Sequence, residues 1–176
     1  VSTSSPDFNR NHFELLGLPV AFGMDASRLE RRYRELQTQV HPDRFASRSE
    51  AERRVAMQWA TRANEAYRTL RDPLARARYL LQLKGFDTGE ESNTSMPPDF
   101  LMQQMEWREA AAEARAERDA RGLQRLRGEL GASRDEMLDQ LERALDGANY
   151  EAGCSLVRKL RFLEKLEEEI DEALEP

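Results

Sequence analysis

Apolar residues along this chain recur at steps of three and four, the period of one helix face, and no stretch alternates strictly enough to predict a strand. A short first helix is expected from about Asn11 to Leu16, closed by Gly17. Pro19 to Gly23 is a loop. Asp25 or Ser27 can cap a second helix by offering a side-chain oxygen to unpaired backbone N–H groups. Its stripe is Leu29, Tyr33, Leu36 and Val40. It ends at His41, because the following Pro42 disfavours helical geometry in the residue before it. A third helix is expected from about Glu50 to Leu70, burying Val55 or Ala56, then Trp59, Ala63, Tyr67 and Leu70. Asp72-Pro73 interrupts it, and Leu74 to Leu83 restarts as a short helix before Gly85.

The texture then changes. Asp87 to Pro98 is rich in Gly, Ser, Thr and Glu, and reads as a linker. Three helices are predicted beyond it, over about Asp99–Glu117, Arg121–Leu145 and Tyr150–Leu174. The middle one carries Leu123, Leu126, Leu130, Met137, Leu141 and Leu145 on one stripe. Gly122, Gly128 and Gly131 weaken its start and favour a kink there. The last has Leu156, Leu160, Leu163, Ile170 and Leu174 as its core. No internal repeat is visible. The expected organisation is all-α: an unstructured lead-in (1–10), a helical hairpin with short flanking helices (11–86), the linker (87–98) and a three-helix bundle (99–176).

Composition sharpens this picture. Of 176 residues, 34% are charged and 39% hydrophobic, which favours exposed, salt-bridged helices over a thick sheet core. The net charge of −6 argues against a general nucleic-acid binder. It is unevenly spread: residues 1–85 carry 15 basic and 10 acidic side chains, and residues 86–176 carry 12 and 23. A basic half joined to an acidic half predicts two modules with different partners. The single cysteine, Cys154, can form no internal disulfide and no zinc site alone, so a reducing compartment is expected and no metal is. No apolar run is long enough for a membrane span, and Val1 to Pro6 lack a signal-peptide pattern.

The chemistry concentrates at His41-Pro42-Asp43, between a helix whose exposed positions include Arg28, Arg31, Arg32 and Arg34 and one that carries Ala63-Asn64-Glu65-Ala66-Tyr67. Pro42 fixes its own φ and restricts His41, so two polar groups are held at low entropic cost. The Asp43 carboxylate can accept a bidentate bond from a partner's arginine. A general-base reading of His41 with Asp43 lacks a visible nucleophile, oxyanion cradle or third orienting group, so no enzyme is expected. Tyr33, Trp59 and Tyr67 are expected in the core.

This arrangement resembles the J-domain, in which such a tripeptide joins two antiparallel helices, and Tyr33 stands eight residues before His41 as in that family. The resemblance extends to the HscB-type co-chaperones. It rests on His41-Pro42-Asp43-Arg44-Phe45, Asp72-Pro73-Leu74, Arg76-Ala77-Arg78-Tyr79-Leu80-Leu81, Gly85-Phe86-Asp87, Phe100-Leu101-Met102 and Val157-Arg158-Lys159-Leu160-Arg161-Phe162-Leu163. These landmarks span nearly all of residues 12–166 in the family's order; positions 118 to 135 match only in helical character. The resemblance implies that His41, Pro42, Asp43 and Arg44 contact a DnaK- or HscA-class ATPase chaperone and switch on its hydrolysis. The arginines of the second helix would meet an acidic strip on that partner, although Glu30 and Glu35 interrupt their face.

In the fifth helix, Phe100, Trp107, Ala111 and Ala114 cluster in one direction, while Met102, Met105, Glu106, Glu109 and Glu113 point away and Leu101 lies between. Methionines opposite a bundle's core face suggest an adaptable partner surface. Phe162 lies about 100° off its helix's core stripe and is expected to be exposed. Periodicity equally permits the methionines to pack on another helix and Phe162 to fill a gap. The resemblance favours a surface for an IscU-type iron–sulfur scaffold, made of Leu101, Met102, Met105, Glu106, Glu109, Glu113 and Phe162. Met105 stands where family members carry leucine. The family implies a co-chaperone that delivers such a scaffold, without a cofactor, as a monomer, in the bacterial cytoplasm or, alternatively, the mitochondrial matrix. A general J-protein for unfolded clients is the competing reading; it lacks the usual Gly/Phe-rich or Cys-rich modules here.

Overall fold

A computed structural model describes residues 9–90 and 96–175. The expected lead-in therefore lies mostly outside the described residues, as does the middle of the expected linker. The described residues form seven α-helices and one 3₁₀ turn, with no strand among them. The chain divides into two compact units, Val1–Leu80 and Leu81–Pro176. That division falls inside a helix, upstream of the segment expected as linker.

In the first unit, α1 (His12–Leu15) starts with a capping box. Asn11 accepts from the Glu14 N–H, and Glu14 accepts from the Asn11 N–H. α2 (Ala26–Val40) begins at Asp25, whose carboxylate accepts from the Ser27 and Arg28 N–H groups. α3 (Glu50–Arg71) opens with a second capping box, Ser49 with Glu52. Asp72 then turns extended before Pro73, where α4 (Pro73–Leu83) begins. α2 and α3 pack as an antiparallel hairpin, and α1 lies against α3. Ala56, Ala63, Ala66 and Leu70 form the buried stripe of α3, around Phe13, Leu16, Phe22 and Leu29. Arg76 is buried as well: it donates to the Leu70 carbonyl at 2.6 Å and lies over the Phe22 ring.

Tyr33, Trp59 and Tyr67 are half-buried rather than enclosed. Burial on α2 declines toward the turn: Leu29 is buried, while Leu36 and Val40 are half-buried. The outer part of a two-helix hairpin has no third layer to cover large rings. Tyr33 and Tyr67 instead stack at 4.2 Å, with the Tyr33 hydroxyl bonded to Asn64 and Gln37. Such amphipathic rings suit a boundary with water.

In the second unit, α5 (Pro98–Ala116), α6 (Ala120–Asp146) and α7 (Tyr150–Leu174) make a bundle. Phe100, Trp107, Ala111 and Ala114 meet Leu123, Leu126, Leu130, Leu163, Leu166 and Ile170 in its core. Helix α6 runs unbroken through Gly128 and Gly131; packing of its leucine stripe outweighs their unfavourable propensity. The two interhelical turns share one geometry, with Arg118 and Ala148 at φ 55°. Glu167 is a buried charge, held by Arg127 at 3.1 Å and Arg134 at 2.9 Å, while Arg127 also binds Asp171 at 2.8 Å. The residues after α4 belong to this unit: Phe86 meets the Tyr150 ring, and Arg158 donates to the Thr88 carbonyl at 2.8 Å. Cys154 is buried, and that burial pushes its thiol pKa up.

Candidate partner-binding surfaces

The tip of the α2–α3 hairpin is built by competition between helix and proline. His41 leaves helical geometry at ψ 132°, and Pro42–Phe45 form a single 3₁₀ turn. That turn was not anticipated; a proline at the first helical position, which needs no N–H donor, is the signal for it. The Asp43 N–H donates to His41 Nδ1 at 3.3 Å, and the Asp43 carboxylate lies 3.5 Å from the same nitrogen, so the two side chains of the turn stand together. The Asp43 side chain is 91% exposed. It therefore presents a carboxylate with little of its hydration lost. Arg44 folds back and donates to the Thr38 carbonyl at 3.2 Å, satisfying an end group of α2.

Arg28, Arg31, Arg32 and Arg34 are all exposed on α2. Two of them are engaged within the helix: Arg32 pairs with Glu35, and Arg34 with Glu30. Such exposed pairs are weak and exchange readily for an external partner. A shallow depression between Glu30, Arg31, Arg34, Glu35 and Thr38 marks this face.

The second surface lies on α5. Leu101, Met102 and Met105 are 42%, 65% and 71% exposed, beside exposed Glu106, Glu109 and Glu113. Phe162, expected in solvent, is instead half-buried. Its ring packs edge-on to Phe100 at 6.0 Å and stacks on Trp107 at 6.4 Å. The 100° offset placed it beside the core stripe, and α5 covers that flank. Sequence reasoning missed two cations on this aromatic cluster. The Arg108 guanidinium lies 5.3 Å from the Phe162 centroid, and Lys159 Nζ lies 5.2 Å from that of Phe100. The available signal was that Arg108 shares a flank of α5 with Leu101 and Met105. Among the described residues, no group of three or more His, Cys, Asp or Glu side chains is arranged to hold a metal, and no helix is long and apolar enough to cross a membrane.

A rigid His-Pro-Asp turn at the tip of an antiparallel hairpin, beside a basic helix, defines a J-domain protein. Residues 11–79 match the DnaJ domain family, and residues 96–171 match the family described as the HSCB C-terminal oligomerisation domain. The chain is 51% identical to the co-chaperone protein HscB homologue of Burkholderia multivorans, over 94% of each. Among solved structures it resembles chaperone HscB from Vibrio cholerae, at 40% identity and TM-score 0.80, covering 93% of this chain and 96% of that one. Human co-chaperone protein HscB matches at 32% identity and TM-score 0.89, covering 96% and 84%. The chain belongs to the HscB family of J-domain co-chaperones. Its J-domain implies an Hsp70-type partner.

Proposed function

We propose that the protein stimulates the ATPase of an HscA/DnaK-class chaperone through His41, Pro42 and Asp43 and delivers an IscU-type iron–sulfur scaffold on α5, in the bacterial cytoplasm. The observation that carries this reading is an apolar ridge, Leu101–Met102–Met105, left in water on a bundle helix whose opposite face is fully packed. A bundle gains nothing from exposing methionines, whereas an adaptable partner surface does. Exposed Glu106, Glu109 and Glu113 beside the ridge would set the orientation of a folded partner. At the other surface, the exposed Asp43 carboxylate would accept a bidentate bond from a chaperone arginine, His41 would contact the same partner beside it, and the α2 arginines would steer the encounter. Hydrolysis itself belongs to the chaperone, and the co-chaperone's part is to favour the competent arrangement.

Two measurements test this. His41→Gln or Asp43→Asn should retain full helicity by circular dichroism and lose stimulation of the ATPase; wild-type stimulation by either variant refutes the turn's role. Met102→Ala and Met105→Ala should each weaken scaffold binding by about 1 kcal/mol or more by calorimetry, as buried anchors do. Their melting temperatures should hardly change, because these side chains leave water on binding and not on folding. A large fall in melting temperature with unchanged affinity refutes the cargo surface.

A further inference from the structure

We propose that Arg108 is a specificity-determining residue of the cargo surface, reading a carboxylate on the scaffold from the middle of the apolar contact. The inference rests on the scaffold reading of α5 and adds the chemistry of the group recognised.

Four arginines on the other helices pair with a carboxylate three or four residues away: Arg32 with Glu35, Arg34 with Glu30, Arg54 with Glu50, and Arg161 with Glu164. Arg108 is placed differently. The residues three and four positions from it are Gln104, Met105, Ala111 and Ala112, none of them acidic. Its guanidinium lies instead over the Phe162 ring at 5.3 Å. Phe162 is fixed from behind by Phe100 and Trp107. The cation therefore rests against an aromatic shelf, a ring packed on the bundle core, and that contact favours this position before any partner arrives.

Helix geometry places that shelf within the ridge. Leu101, Met105 and Arg108 follow the i, i+4, i+7 line of α5, so Arg108 stands between the exposed methionine and Phe162. A guanidinium over a ring face still has N–H groups free to bond outward, and its planar fork matches a carboxylate bidentately. An unpaired cation inside an apolar interface is costly once water leaves, so a partner lacking the matching anion is penalised there. The surrounding Glu106, Glu109 and Glu113 repel acidic groups elsewhere on the face, which confines an acceptable carboxylate to the aromatic cluster, where Arg108 and Lys159 are the cations and Arg108 alone has the planar fork. Arg108 thus converts a greasy ridge, which would take many partners, into one with a required charge.

The test measures binding of purified IscU-type scaffold to the full-length chain at several salt concentrations. Arg108→Gln should weaken binding about 10-fold and flatten its salt dependence; Arg108→Lys should lose less, because it keeps charge without the fork. Arg108→Glu should lose more. Among scaffolds with single Asp or Glu residues changed to Lys, one should restore tight binding to Arg108→Glu while binding the wild-type chain poorly. In a Trp59→Phe background, fluorescence of Trp107, whose ring is stacked against Phe162, reports whether the shelf is intact in each variant. If Met102→Ala and Met105→Ala weaken binding but Arg108→Gln and Arg108→Glu do not, the inference is wrong and the scaffold reading stands. Loss in Arg108→Glu with unchanged salt dependence and no rescuing scaffold also overturns it, making Arg108 only a cover for Phe162. If neither the methionine nor the arginine variants change affinity, the scaffold reading itself fails.

Discussion

His12 lies flat on Tyr79, with ring centroids 4.2 Å apart, and its backbone N–H donates to the Tyr79 hydroxyl. Burial lowers its pKa below the ordinary histidine value; Glu65 opposes that shift and Arg62 assists it. The folded unit therefore prefers the neutral ring, and the unfolded chain binds the proton first. Stability from this group is whole above about pH 6.5 and is lost as pH falls from there through the depressed folded pKa. Denaturation midpoints at pH 7.5 and 5.5 should differ more for the wild type than for His12→Gln. Equal differences would remove His12 from the balance. The same scale separates Phe162 from the methionines. Its ring contacts Phe100 and Trp107, so Phe162→Ala should cost about 2 kcal/mol of stability, read by chemical denaturation, in addition to any lost affinity.

Each turn between bundle helices forces a residue with a Cβ into left-handed geometry: Arg118 between α5 and α6, and Ala148 between α6 and α7. Glycine adopts that region freely, although it also loosens the unfolded chain. Arg118→Gly and Ala148→Gly should each stabilise by about 0.5–1 kcal/mol, measurable in thermal melts. The neighbouring Gly147 sits at φ −79°, so its use of glycine is steric instead: a Cβ there would come within 3.2 Å of the Arg143 carbonyl oxygen. This turn illustrates what a sequence reveals at the level of elements. The Asp146-Gly147 pair locates the turn, but only the path of the chain says which residue turns left-handed. Helix number, order and core stripes were legible because period, capping residues and prolines are local. The core stripe of α5 was legible and gave the direction of Met102 and Met105, but periodicity did not decide whether another helix covers them; the structure leaves them exposed. Phe162 was misjudged, and Arg108, Lys159 and the Arg127–Glu167–Arg134 network were missed, because each depends on which flank of one helix another covers. Trp59 and the tyrosine pair were overburied for a similar reason: periodicity gives a direction but not the number of layers lying in it.

At the scale of the whole chain, the two surfaces lie in separate compact units, and the segment after α4 is tied to the second. Leu81 is buried, Phe86 meets Tyr150, and Thr88 is held by Arg158. A fragment of residues 81–176 should therefore melt higher than one of residues 95–176; equal melting would make that segment a mere connector. A fragment of residues 1–88 should stimulate the chaperone weakly and more so at low salt, since its contact face is basic and screened. Mixing it with 81–176 and scaffold should not reproduce the intact chain at equal concentrations. On the proposed function, covalent linkage would supply the high effective concentration of cargo beside the chaperone. A mixture as active as the intact chain would show that delivery needs no tether.

Cys154 has a consequence for the cargo proposed here. Iron, oxidants and disulfides react with the thiolate, and burial both hides this sulfur and keeps it protonated. A carrier whose lone thiol is locked away cannot draw iron out of the scaffold it holds. It cannot form a mixed disulfide with the scaffold's cysteines, and it does not enter the oxidation ladder when a cluster decays nearby. On the proposed function, the protein would be chemically silent toward its own freight and would grip it by shape and charge alone.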